Sequence, residues 1–120
     1  MDDDLVLSEM YKNIFKEKGY ETYVAFDGYD GLIKANSILP DIILMDMMMP
    51  KLNGLDVLDK LKKNPLTSAI PVVILTNIEK VAEEKVIAKG AAKYITKSEY
   101  NPPQLVALVE TILDGKIDKE

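Results

Sequence analysis

The chain has no cysteine and no histidine, and its 15 basic residues are all lysine. Without cysteine there can be no disulfide, no thiol nucleophile and no thiolate metal site. Without histidine the usual general base and the usual zinc ligand are missing, and so is any phosphohistidine on this chain. The net charge of −5 argues against a nucleic-acid surface, which needs clustered positive charge. No apolar run approaches the roughly 20 residues of a membrane-spanning helix. Met1 is followed at once by three aspartates, unlike a signal peptide. The expectation is a cytoplasmic protein with no direct nucleic-acid or membrane contact.

What is present fits one domain over residues 1–120, with a polar, frayed tail from about 114. Leu7, Met10, Tyr11, Ile14 and Phe15 share one helical face, and Gly19 stands where that helix would stop. Residues 20–26, YETYVAF, alternate like a short strand, and DGYDGLIKANSI reads as a helix of weak propensity. Residues 41–45, DIILM, form the continuous apolar run of a strand buried on both faces. Leu55, Leu58 and Leu61 mark the next helix, with Lys60, Lys62 and Lys63 as its solvated face. VVILT is a second buried strand, residues 79–89 a further helix ended by Gly90, and KYIT a short strand. Asn101 and Pro102 open a last helix as N-cap and first helical residue, running to about Leu113.

Strands alternating with helices imply an α/β sheet, mostly parallel, with right-handed crossovers. In such sheets the site lies at the carboxyl ends of the strands. Asp46, Thr76 and Lys97 stand there, and Asp2, Asp3 and Asp4 precede the first helix. Crowded carboxylates repel by about 4 kcal/mol per pair at about 4 Å and a dielectric near 20. A divalent cation cancels that repulsion, and oxygen donors alone suit a hard ion such as Mg²⁺. Asp46 could then attack phosphorus while Thr76 and Lys97 meet phosphoryl oxygens. A plainer reading makes Asp4 an N-cap, and Met47, Met48 and Met49 loop and core filler.

The pieces DDD, PDIILMDMMMPKLNG, IPVVILT and GAAKYITK, in this order and spacing, resemble the receiver domain of two-component response regulators, the chemotaxis-regulator-like superfamily. The resemblance implies a doubly wound, flavodoxin-like parallel sheet of order 2-1-3-4-5. By position Asp46 is the phosphoacceptor, and Asp2, Asp3, Asp46 and the backbone carbonyl of Met48 hold Mg²⁺. Thr76 and Lys97 contact the phosphate, and Tyr94 follows Thr76 as a switch. Pro50 and Gly54 shape the loop after the acceptor. The partners implied are a histidine kinase or phosphotransfer protein and a downstream protein target. Such a chain is a switch that promotes only its own phosphorylation and dephosphorylation, not an enzyme acting on other substrates.

Three positions depart from the family pattern. A hydrophobic strand precedes the acidic pair in the family, whereas only Met1 precedes Asp2 here, so the first strand is expected to be missing or truncated. Exposed strand edges would then favour a strand-swapped homodimer. Ser98 stands where proline with a cis bond is usual, and a cis bond before serine costs about 3 kcal/mol or more. Asn77 replaces a smaller residue and would narrow access to Asp46. These departures support an alternative, a pseudo-receiver that binds partners without being phosphorylated. Enzymes of similar topology fit less well. A haloacid-dehalogenase-type phosphatase wants an acid where Met48 stands, a flavodoxin wants a hydroxyl-rich loop after its first strand, and GxxxxGK[ST] is absent.

Overall fold

The two apolar runs do form adjacent strands. In a computed structural model, which describes residues 5–46, 54–76, 87–96 and 100–118, β1 (Ile43–Asp46), β2 (Val72–Thr76) and β3 (Lys93–Thr96) make a parallel sheet in that order. Ile43 pairs with Val72 and Asp46 with Leu75, while Val73 pairs with Lys93 and Thr76 with Thr96. Both sheet faces are covered, which is why β2 is apolar at every position before Thr76. On one face Ile43, Met45, Val72, Ile74 and Tyr94 pack with α2 (Gly28–Ile38) and α3 (Gly54–Lys63). On the other, Val73, Leu75 and Ile95 pack with α1 (Leu5–Glu17) and α4 (Pro102–Asp118).

The helix ends follow local chemistry. Gly19, at φ 92, stops α1 as expected, in a conformation that a Cβ disfavours. The Asp27 carboxylate accepts from the Asp30 N–H at 2.8 Å and opens α2. Asn101 and Gln104 cap α4 reciprocally: Asn101 Oδ1 accepts from Gln104 N–H, and Gln104 Oε1 from Asn101 N–H, both at 2.9 Å. Asn101→Ala should therefore cost about 1 kcal/mol, read as a lower urea midpoint with an unchanged slope. The helix runs to Asp118, five residues beyond the expected Leu113. Gly115 costs a helix only about 1 kcal/mol, too little to end it.

Lys62 departs from the solvated face assigned to it. Its Nζ donates to Ser68 O at 3.1 Å and Ile70 O at 2.7 Å, and burial pushes its pKa down. Lys62 follows Leu58 by four residues, which places it at the margin of the buried face of α3. With the Thr67 hydroxyl donating to Leu61 O at 2.7 Å, it ties the 64–70 turn that feeds chain into β2. Gly90, at φ 107, closes against this side chain, and an added Cβ would lie 3.0 Å from Lys62 Cγ. Gly90→Ala combines backbone strain with that contact, so a loss of about 1–2 kcal/mol is expected in chemical denaturation.

Residues 20–25 are the main difference from the sequence expectation. Over 20–24 exposure alternates as in a strand, with Glu21 and Tyr23 exposed and Thr22 and Val24 half-buried, but Ala25 is buried and Phe26 exposed, and the run pairs with no strand among the described residues. Alternation is a property of the segment itself, whereas a ladder needs a neighbour at strand spacing. Here a groove of about 460 Å³ separates this run from β1. The sheet therefore has three strands among the described residues, consistent with the expected truncation of the five-stranded order.

Candidate functional site

Parallel strands bring their last residues to one edge, and the register states which ones meet. Asp46 ends β1 opposite Leu75, and Thr76 ends β2 opposite Thr96. Neighbouring strands lie about 4.8 Å apart, so the backbone positions of Asp46 and Thr76 are within one strand spacing and one residue. Lys97 follows Thr96 directly in sequence. Asp46 is half-buried, at one end of the groove that Ser8 and Lys12 of α1 also line. A carboxylate at a strand end keeps access to solvent, and so avoids the several kcal/mol that full burial of a charge costs.

Of the sequence-identified residues, the structure describes Asp46, Tyr94 and the backbone of Thr76. Asp2, Asp3, Met48 and Lys97 lie outside the described residues, as do Asp4, Pro50, Asn77, Ser98 and most of the helix expected over 79–89. Gly54 begins α3 and is buried. Tyr94 is 6% exposed and packs in the core beside Ile74, its partner across the ladder. Among the described residues no group of three or more acidic side chains gathers as a metal site. No described helix is long and apolar enough to cross a membrane.

In a doubly covered parallel sheet the chemistry lies at the carboxyl ends of the strands, and Asp46 ends the first described one. Residues 1–110 match the family described as the response regulator receiver domain, and the chain belongs to that family. It is therefore a receiver domain of two-component signalling, a signalling domain built around a phosphorylatable switch. The chain is 35% identical over 120 residues to the DNA-binding response regulator MtrA of Mycobacterium tuberculosis strain H37Rv, covering 99% of this chain and 51% of that protein. It is 31% identical over 121 residues to the probable transcriptional regulator ycf29 of Pyropia yezoensis, at 100% and 54% coverage. The chain thus spans about half the length of these curated relatives.

Solved structures agree on the fold. The receiver domain of the Francisella response regulator 1452 superposes with a TM-score of 0.87 at 31% identity, covering 96% of this chain and 93% of that one. A CheY-like receiver domain protein from Methanospirillum hungatei gives 0.91 at 26% identity, covering 99% and 94%.

Proposed function

We propose that this chain is the phosphoacceptor of a two-component pair, taking a phosphoryl group from a partner histidine kinase or phosphotransfer protein onto Asp46. The single observation that carries the reading is the placement of Asp46 at the carboxyl end of β1, beside the end of β2 at Thr76. A carboxylate oxygen of Asp46 attacks phosphorus, the P–N bond of a donor phosphohistidine breaks, and its electron pair stays with the leaving imidazole. A phosphoryl group transfers with little covalent help, so positioning and charge compensation carry the step. Thr76 would donate to one phosphoryl oxygen, and Lys97 would neutralise another. The domain's output is a changed protein-binding surface, to which the buried Tyr94 responds.

The donor chemistry suits Mg²⁺, since the chain offers oxygen ligands and neither histidine nor cysteine. Asp2, Asp3, Asp46 and the carbonyl of Met48 would hold it. When bound, the ion supplies charge compensation for the carboxylates and the phosphoryl oxygens. With no histidine among residues 1–120, the phosphohistidine comes from outside them. The names of MtrA and its kin as DNA-binding regulators describe proteins about twice this length. For residues 1–120 the acidic balance still favours protein partners over nucleic acid.

Ser98, where proline is usual in the family, favours a second reading, a receiver that binds partners without phosphorylation. Transfer from a radiolabelled phosphohistidine donor separates the two. The phosphoacceptor reading expects label on this chain that Lys97→Ala slows by about 2–4 kcal/mol of barrier, as removal of a positioned electrostatic group does. Label on neither protein form, from a donor active on other receivers, would favour the non-phosphorylated module.

A further inference from the structure

The register puts a second threonine beside the phosphoacceptor site. Thr96 is the last residue of β3 and pairs with Thr76, the last residue of β2. Two residues earlier Ile74 and Tyr94 are partners in the same ladder, and both belong to the core on the α2–α3 side. Ile95, between Tyr94 and Thr96, is buried in the cluster on the other face. Strand positions alternate between faces, so 76 and 96 lie on the face of Ile74 and Tyr94, one step nearer the carboxyl edge. Thr96 is half-buried, and its hydroxyl has no hydrogen-bond partner among the described residues. Packing alone does not require that hydroxyl, since valine has the same shape and suits a strand as well.

The sheet spacing decides how this hydroxyl can act. Neighbouring strands lie about 4.8 Å apart, which lets directly opposite threonines hydrogen-bond to each other. Asp46 is on β1, two spacings or about 10 Å away, so Thr96 meets the phosphoryl site through Thr76. A hydroxyl has one proton to give and two lone pairs with which to accept. Once Thr76 gives its proton to a phosphoryl oxygen, its own oxygen is open to a donor. We propose that Thr96 is a positioning residue whose O–H donates to Thr76 Oγ1 as the phosphoryl group arrives. The bond aims the Thr76 proton at the phosphoryl oxygen and polarises the O–H that carries it. This inference rests on the phosphoacceptor reading of Asp46 and Thr76.

The test follows phosphoryl uptake by the 120-residue chain from a small acyl phosphate with Mg²⁺, read by intact mass at timed intervals. Thr96→Val keeps the shape and removes the donor, and should slow uptake about fivefold, the size of one neutral hydrogen bond. Thr96→Ser returns the donor and should restore most of the rate, which a purely packing role would not do. With Thr76→Val already in place, Thr96→Val should slow uptake no further, because the bond it removes is already gone. Equal uptake by wild type and Thr96→Val, a loss that serine does not restore, or the same loss in both backgrounds would each overturn the proposal while leaving Asp46 as the acceptor. A folded wild type that takes up nothing would instead remove the phosphoacceptor reading, and this inference with it.

Discussion

Asp46→Asn should take up no phosphoryl group from any donor, while its circular dichroism spectrum stays that of the wild type. The carboxamide has lost the anionic oxygen that attacks phosphorus, and no other acidic side chain ends a described strand of the sheet. Asp46 is half-buried at the end of β1, and the core of that strand is built from Ile43 and Met45, so the fold does not depend on its charge. The effect is thus one of chemistry with little effect on stability, which a paired measurement of labelling and thermal midpoint can verify. Labelling that persists in the variant would move the acceptor elsewhere in the chain.

The second large effect is on stability. Ile74 lies in β2, between the other two strands, and is fully buried against Met45, Leu58 and Tyr94. Ile74→Ala removes buried methyl and methylene groups and leaves a cavity that a close-packed core refills only in part. The expected loss is about 2–5 kcal/mol, which is a large share of the roughly 5–15 kcal/mol of a whole domain. Urea denaturation of the variant should show it as a much lower midpoint. A loss under about 1 kcal/mol would mean that this region is loosely packed, contrary to the burial seen here. Because β2 also carries Thr76, the same variant should show slower labelling even at temperatures where it stays folded.

The strands that place the site were legible because each is a short, continuous apolar run between turn residues. Residues 72–75 are buried on two faces, while residues 42–45 are buried at Ile43 and Met45 and half-buried at Ile42 and Leu44, and an apolar run of that kind leaves a signature that needs no knowledge of neighbours. The caps at Gly19, Gly90 and Asn101 were legible for a similar reason, since each answers a local backbone requirement. Pairing is not local. Residues 20–24 have the alternation of a strand but gain no ladder among the described residues, where a groove lies between them and β1. Lys62 was misread as solvated because charge type outweighed position, although its spacing from Leu58 puts it at the margin of the buried face.

For the site itself, the identity of the strand-end residues was readable and their geometry only partly so. Asp46 and Thr76 come to one edge because Asp46 pairs with Leu75 and Thr76 follows it. Tyr94 falls at a buried position of β3, next to the buried Ile95, as a packed strand residue. Sequence spacing can place a residue at a strand end, but the register with the next strand decides which residues meet.

The most direct test of the central claim is intact mass spectrometry of the 120-residue protein, before and after incubation with a small acyl phosphate and Mg²⁺. The account predicts a gain of one phosphoryl group that is lost with chelator and absent in Asp46→Asn. No gain in protein shown to be folded would contradict it and leave the chain as a binding module of receiver fold.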